Sequence, residues 1–146
     1  MSINFDKYSN IISMFFDKSK KRKNKPYLWI KNNGVFKSLS WEDVELSVKS
    51  VARSLLDIGI LKGDRVIILS ENRPEWLIAD IAIMMTNSIT VPAYTTYTEN
   101  DYKYLIEDCE PSVIIVSNNE LHKKIRNIVK EKSFIKKIIT FDKIEG

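Results

Sequence analysis

Histidine and cysteine, the side chains that most often bind zinc and that often act as a catalytic base or nucleophile, are scarce in this sequence. The chain of 146 residues has one histidine, His122, and one cysteine, Cys109. His122 falls on a Lys-rich predicted helix and Cys109 on the apolar stripe of another, so we expect a surface imidazole and a packed thiol. A zinc site would also need several carboxylates, and no spacing provides them. We therefore predict no catalytic residue and no metal ligand in this chain.

Phosphate binding by a glycine-rich loop is also excluded by the sequence. The four glycines are Gly34, Gly59, Gly63 and Gly146. No two of them are close enough to form a loop of backbone N–H groups around a phosphate, so the Walker-type loop and the dinucleotide fingerprint are both missing. We predict no cofactor-binding residue in this chain.

The grouped carboxylates have structural explanations rather than catalytic ones. Glu42-Asp43 lies in the first turn of a predicted helix, where the helix dipole favours negative charge. Glu107-Asp108 lies in a last turn, where the dipole is unfavourable, and the sequence offers no reason for it. Asp80 interrupts an apolar helix, so we expect its carboxylate to form a hydrogen bond or an ion pair. A role near a functional site is the less favoured interpretation.

The composition indicates a globular chain. Its length fits one domain, and its 44% of hydrophobic residues is enough to form a buried core. The chain has no uncharged apolar run of about 18 residues, and Met1–Asp6 does not resemble a secretory signal, so we expect a cytoplasmic protein.

The net charge is +4, with a basic run at Lys18–Lys25. We interpret this basic run as a solvated loop, and contact with an anionic membrane is the alternative. No aromatic-rich surface accompanies the run, so nucleic acid is not an expected partner.

The first part of the chain is predicted to form a helix, a hairpin and a second helix. Apolar residues at helical spacing place the first helix from Tyr8 to about Lys20. Two β-prone runs flank Asn32-Asn33-Gly34, which predicts a hairpin. Ser40 and Asp43 have the spacing of a capping box, so a second helix begins there and ends before Gly59.

From Val66 onwards, short apolar strands alternate with helices. The predicted strands are Val66–Leu69, Ile89–Val91, Val113–Val116 and Ile138–Phe141, and the predicted helices are Arg73–Thr86, Glu99–Cys109 and about Glu120–Lys130. Strands that are apolar throughout indicate a parallel sheet covered on both faces, so the fold class is α/β. The helix Arg73–Thr86 has almost no polar face, which predicts burial nearly all round. The last strand needs further chain to cover its edge, so we interpret the sequence as a fragment.

Two segments resemble AMP-forming acyl-CoA synthetases, which belong to the adenylate-forming superfamily. One runs from Lys62 to Trp76 and continues through Asp80 and the stretch from Ile89 to Tyr94. The other, Leu39–Val44, is similar to the superfamily's first conserved motif. Within the first segment, the motif most similar to the long-chain-fatty-acid–CoA ligase branch is Ser70-Glu71-Asn72-Arg73-Pro74-Glu75-Trp76. Asn87 stands where that family usually has glycine, and Asn also tolerates a left-handed helix terminus.

The resemblance implies a parent enzyme that uses ATP and Mg²⁺ to convert a fatty acid or another carboxylate into an acyl-adenylate, and then transfers the acyl group to coenzyme A. The family's phosphate loop, its nucleotide-binding motifs and its catalytic lysine lie further along the chain. We therefore interpret residues 1–146 as an incomplete N-terminal part of the AMP-binding domain that is inactive alone and binds none of these cofactors tightly.

Within residues 1–146, we expect a leading helix and hairpin over about 1–39 and an α/β unit over 40–146. The turn before the helix at Arg73 follows a parallel strand, where α/β enzymes place ligands, so Asn72 and Arg73 keep a secondary functional interpretation. Asn72 is expected to cap that helix, with Pro74 in its first turn.

Two alternatives stay open for the function. One is an adenylate-forming enzyme with another carboxylate specificity. The other is a non-catalytic module that binds a membrane or a partner through Phe15-Phe16 and the basic residues from Lys20 to Lys25.

Overall fold

The structure is a computed structural model that describes residues 7–144, so Met1–Asp6 and Glu145-Gly146 lie outside the described residues. The helices are α1 Ile11–Arg22, α2 Trp41–Asp57, α3 Pro74–Met85, α4 Glu99–Cys109 and α5 Asn119–Val129. The strands are β1 Pro26–Asn32, β2 Val35–Ser40, β3 Arg65–Leu69, β4 Ile89–Ala93, β5 Val113–Val116 and β6 Lys137–Thr140. Over residues 7–144, none of these helices combines the length and the apolarity needed to cross a membrane.

The strands form two sheets, as the sequence predicts. β1 and β2 pair antiparallel around a two-residue turn in which Asn33 and Gly34 have φ values of 48° and 80°. The other four strands are parallel and lie in the order β4-β3-β5-β6. The predicted α/β fold with a parallel sheet is therefore confirmed.

The parallel sheet is covered on both faces, because alternate residues of each strand point to opposite sides. On one face Ile67, Leu69, Ile114 and Val116 pack against α4 and α5. On the other face Val66, Ile68, Val113 and Ile115 pack with Leu55 of α2 and with Ala79 and Ile83 of α3. This arrangement explains why these strands are apolar throughout.

A third cluster joins α1, α2, α3 and the hairpin. Phe15 is 4% exposed and lies beside Tyr27 and Trp41. The rings of Tyr27 and Trp41 are stacked, with 3.7 Å between their centroids. Arg22 lies over the Trp41 ring at 5.7 Å, so the basic end of α1 is tied to the start of α2.

Reciprocal capping boxes determine where several helices begin. The Ser40 side chain accepts a hydrogen bond from the Asp43 backbone N–H, and the Asp43 carboxylate accepts one from the Ser40 N–H in return. Thr98 and Asp101 form the same arrangement at the start of α4. Asn10 and Ser13 do so for α1, which explains why this helix begins at Ile11 rather than at the predicted Tyr8.

The two ends of α3 differ in how well the sequence predicts them. Pro74 is the first helical residue, as expected, but Arg73 rather than Asn72 occupies the N-cap position and makes no capping hydrogen bond, so the predicted Asn72 cap is wrong. At the other end Asn87 has a φ of 59°. The Asn87 and Ser88 N–H groups donate to the Met84 and Ile83 carbonyls, which is the Schellman pattern with asparagine in the left-handed position.

Candidate functional site

The carboxyl edge of the parallel sheet is the part of the fold where a ligand would be expected. The connection after β3 leads to α3 on one face of the sheet, and the connection after the neighbouring β5 leads to α5 on the other. Doubly wound sheets bind ligands in the crevice that opens between two such strands. Here the crevice lies between the segment from Ser70 to Arg73 and the pair Ser117-Asn118.

Arg73 ties three acidic residues together at this edge. Its Nε lies 2.9 Å from the Glu75 carboxylate, and its Nη2 lies 3.0 Å from the carboxylate of Asp142, which follows β6. Nη1 is 3.6 Å from the Glu71 carboxylate, and the guanidinium lies 5.5 Å from the centroid of the Phe141 ring. The Arg73 side chain is only 19% exposed. Arg73 therefore joins the connection after β3 to the chain after β6.

A second contact crosses the crevice itself. The hydroxyl of Ser117, a fully buried residue, donates to the Glu71 carboxylate over 2.5 Å. The amide of Asn118 donates to the same hydroxyl over 3.2 Å, while its Oδ1 accepts from the Leu121 N–H and so caps α5. The ends of β3 and β5 are thus joined by the chain's own polar side chains, which occupy the crevice.

The electrostatics of the edge follow from these contacts. The hydrogen bond from Arg73 is the largest influence on Glu75 and holds the pKa of its carboxyl below the ordinary value, although partial burial opposes the shift. The hydrogen bonds to Glu75 and then to Asp142 raise the pKa of Arg73 further above its already high value. The edge is therefore a set of internally paired charges, which is suited to holding loops in place.

The residues of this edge do not fit a bound Mg²⁺ ion. The nearby carboxylates that could ligate Mg²⁺ are Glu71, Glu75 and Asp142, and all three lie within ion-pair distance of Arg73. In the part of the chain that the structure describes, no three His, Cys, Asp or Glu side chains are grouped to hold a metal ion. No chemical step is therefore assigned to this chain's own residues.

A shallow cleft of about 350 Å³ lies beside the crevice, where β3 and β4 end. It is lined by Ser70, Asn72, Trp76, Pro92, Ala93 and Tyr94. Tyr94 is 72% exposed, so one wall of the cleft is open to solvent. Its mainly apolar lining is suited to contact a hydrocarbon or an aromatic group.

The other carboxylates considered in the sequence analysis do not lie together at this edge of the sheet. Asp80 is half-buried and forms no hydrogen bond or ion pair with any residue from 7 to 144, so the expected partner is not found there. The Glu107 carboxylate lies 2.7 Å from the Lys132 amine, which gives the unexplained carboxylate pair at the end of α4 a structural role. Asp43 serves in the capping box of α2.

The histidine and the cysteine are also separate from the edge. His122 lies in α5, and Cys109, at the end of α4, packs partly against the core on that face of the sheet. Burial raises the pKa of the Cys109 thiol, which favours the unreactive protonated form.

The residues that join the loops were not singled out by sequence reasoning. Glu71, Ser117 and Asp142 are distant in sequence from one another, but each follows a strand of the parallel sheet. That shared position is the signal that could have identified them, because the carboxyl ends of parallel strands meet at one edge.

The sequence profile of the family described as AMP-binding enzyme matches residues 15–145. The chain belongs to this family, which confirms the resemblance to AMP-forming acyl-CoA synthetases. Because the match covers nearly all of the described chain, the sheet and the hairpin both belong to the family's fold.

The chain is similar to two long-chain-fatty-acid–CoA ligases. It is 30% identical to FadD15 of Mycobacterium tuberculosis over 90 residues, which are 62% of this chain and 15% of that protein. It is 27% identical to ACSBG1 of Rattus norvegicus over 128 residues, which are 88% of this chain and 18% of that protein. The chain thus spans about a sixth of the length of these curated relatives.

Among solved structures, the chain is similar to the anthranilate CoA ligase AuaEII in complex with anthranoyl-AMP. The TM-score is 0.85 at 22% identity, over 95% of this chain and 26% of that one. At 22% identity, this structural similarity is evidence for the fold of the chain.

Proposed function

We propose that this chain is the N-terminal part of an ATP-dependent long-chain fatty acid–CoA ligase. The parent enzyme would join a fatty acid to AMP, release pyrophosphate, and then transfer the acyl group to the thiol of coenzyme A with release of AMP. The observation that carries the proposal is the family match over residues 15–145, together with the long-chain ligases among the relatives.

The role of residues 1–146 in that enzyme would be to form part of the scaffold of the AMP-binding domain. We divide them into a leading helix and hairpin over about 1–39 and an α/β unit over 40–146. The crevice between β3 and β5 is occupied by Glu71 and Ser117, which supports a structural role for this edge. The cleft beside Trp76 and Tyr94 would form one wall of an acyl or nucleotide pocket that the rest of the parent completes.

ATP, Mg²⁺ and coenzyme A are cofactors proposed for the parent enzyme. ATP would activate the carboxylate by turning one of its oxygens into a good leaving group. The carboxylates of this chain that lie nearest the sheet edge are paired with Arg73. We therefore expect the residues that bind these cofactors to lie outside residues 1–146.

The test compares two proteins, the 146-residue chain and the product of the coding region read past codon 146. Each is incubated with ATP, Mg²⁺, coenzyme A and one acid, and acyl-CoA and AMP are measured by chromatography. The longer product is expected to form both with palmitate, and the 146-residue chain is expected to form neither. Absence of AMP from the longer product with every acid would refute the proposed activity.

The same assay examines the alternative of another carboxylate specificity. An anthranilate CoA ligase is among the proteins of similar fold, so the fold itself is compatible with aryl acids. Octanoate, benzoate and anthranilate are therefore assayed beside palmitate at equal concentration. A higher kcat/KM for any of them than for palmitate would replace the long-chain assignment and leave the ligase class intact.

The membrane-binding alternative loses one of the features that motivated it. Phe15 is buried, and Phe16 packs against the core with Lys49 at 5.4 Å from its ring, so neither aromatic residue is free to enter a bilayer. A peripheral contact would have to rest on the basic run alone. Sedimentation with neutral and with anionic vesicles at low salt tests it, and equal pelleting with both would end this alternative.

A further inference from the structure

The hairpin formed by β1 and β2 exposes apolar side chains on both of its faces. Trp29 and Phe36 lie on one face and are 57% and 62% exposed, while Ile30 and Val35 lie on the other and are 39% and 60% exposed. A two-stranded ribbon is at best marginally stable in water without a third strand or a packing surface. The outer half of this hairpin therefore has the character of a surface that another element covers.

The pairing register shows which backbone groups of β1 are free. In a two-residue hairpin the residues flanking the turn, here Asn32 and Val35, form a hydrogen-bonded pair, and such pairs alternate with non-hydrogen-bonded ones. Trp29 and Lys31 consequently belong to non-hydrogen-bonded pairs, so their N–H and C=O groups point away from β2. Over residues 7–144, β1 pairs with no strand other than β2.

A groove of about 430 Å³ runs along this free edge of β1. One wall is formed by Leu28, Trp29, Ile30 and Lys31, and the other by Asn72, Arg73, Pro74 and Leu77 at the start of α3. Consecutive residues of a strand point to opposite faces, so a groove lined by four in a row lies along the edge of the strand rather than over one face. An extended segment in this groove could pair with β1 while its side chains contact α3.

We propose that the edge of β1 is a strand-addition site, and that an extended segment from the remainder of the parent enzyme pairs there with the backbone of Trp29 and Lys31. The inference rests on the proposed function, since it assigns the strand to the same protein. Its support is the length of the relatives, of which the chain spans about a sixth, so most of the parent is available to cover this edge.

A second copy of this chain is a less suitable occupant. Residues 18–41 contain no aspartate or glutamate, whereas the hairpin carries Lys31 and Lys37 and is preceded by the basic run. Two hairpins paired edge to edge would bring like charges together, a known means of preventing such association.

The test is hydrogen exchange measured by mass spectrometry on the 146-residue chain and on the product of the coding region read past codon 146. The peptide covering β1 is expected to exchange at least about tenfold more slowly in the longer product. The outward amides of Phe36 and Ser38, on the free edge of β2, are expected to exchange equally in both proteins. Unchanged exchange of the β1 peptide would overturn the inference.

Three matched variants of the longer product separate strand addition from a general change in the hairpin. Lys31→Pro removes an outward N–H from β1 and is expected to return its exchange to the rate of the 146-residue chain. Ser38→Pro makes the same change on the β2 edge, Lys31→Ala keeps the backbone N–H, and both are expected to keep the slow exchange. Loss of protection in all three variants would refute pairing at the β1 edge.

Other occupants give distinct results. Slow β1 exchange in the 146-residue chain alone, with dimer formation by sedimentation, would assign the edge to a second copy and overturn the inference. Slow exchange that appears only with anionic vesicles would assign it to a lipid surface, with the same consequence. A longer product that protects β1 but forms no acyl-CoA would support strand addition while refuting the proposed ligase activity.

Discussion

Arg73 and Asp142 are 69 residues apart in sequence, and Nη2 of the arginine lies 3.0 Å from the carboxylate of the aspartate. This contact joins the connection after β3 to the chain after β6, on opposite sides of β5. It places an ion pair between a mostly shielded arginine and a half-exposed aspartate at the edge of the sheet where α/β proteins usually bind ligands. The edge is therefore held together by charges within the chain, and its disruption should be measurable as a loss of stability.

Replacement of Arg73 by methionine is expected to lower the free energy of unfolding by about 2 kcal/mol, because hydrogen bonds to charged groups contribute roughly 1.5–3 kcal/mol and this side chain is mostly shielded. Urea denaturation followed by circular dichroism measures the change. Arg53→Met is the matched control, since the Arg53–Asp57 pair has a similar 3.0 Å distance but side chains that are 79% and 60% exposed. It should cost no more than about 0.5 kcal/mol. Equal losses in the two variants would show that the Arg73 ion pairs stabilise the fold no more than an exposed surface pair does.

The pH dependence of stability should reveal the Arg73–Glu75 interaction. Arg73 holds the folded-state pKa of Glu75 below its ordinary value of 4.5, so the interaction is fully present above that value and is lost as the pH falls through the lower folded-state pKa. The stability difference between the wild type and Arg73→Met is therefore expected to shrink as the pH is lowered from 7 to 3. A difference that stays constant or grows over this range would be inconsistent with an ionised Glu75 as the partner.

The sequence predicts the parallel sheet and its helices well, because the relevant signals are local. Val113–Val116 and Glu99–Cys109 match the predicted ranges, and the Ser40–Asp43 spacing identifies the start of α2. The loop contacts could not be predicted in this way. Glu71 meets Ser117 only because β3 and β5 are neighbours, and strand order is set by tertiary packing rather than by local pattern.

The Asn72 cap failed for a related reason. Asparagine is a good N-cap residue, but the guanidinium of Arg73 binds Glu75 and Asp142, and Arg73 takes the N-cap position with its backbone extended. A distant ion pair thus overrides a local preference. The apolar stripe of α1 does not by itself show whether the helix faces the protein or a membrane, and the burial of Phe15 in the structure answers that question for this residue.

The capping box of α4 offers a direct test of a local signal. Thr98→Ala removes the hydroxyl that accepts from the Asp101 N–H and is expected to lower the free energy of unfolding by about 1 kcal/mol. Thr96 is exposed in the same loop and makes no side-chain hydrogen bond with residues 7–144, so Thr96→Ala is the matched control, expected within about 0.5 kcal/mol of the wild type. Urea denaturation compares them, and the cap would be without effect if the two variants unfolded at the same midpoint.

Asn87 provides a test of the turn that ends α3. Its φ of 59° is in the left-handed region, which costs a residue with an ordinary side chain roughly 1 kcal/mol, glycine nothing, and asparagine an intermediate amount. Asn87→Ala is therefore expected to destabilise the chain by about 1 kcal/mol, whereas Asn87→Gly is expected to be neutral or stabilising by a few tenths. Thermal unfolding would separate the two, and a more stable alanine variant would show that the turn adopts another conformation.

If residues 1–146 supply scaffold to the parent enzyme, their sheet edge should be closed to nucleotide by the chain's own side chains. The most direct measurement is a titration of the ¹⁵N-labelled 146-residue chain with ATP and Mg²⁺, followed by NMR at the amides of Ser70–Arg73 and Ser117-Asn118. No saturable shift of these amides is expected up to millimolar ATP. Saturable shifts confined to them would show that the crevice binds nucleotide and that Glu71 and Ser117 do not close it.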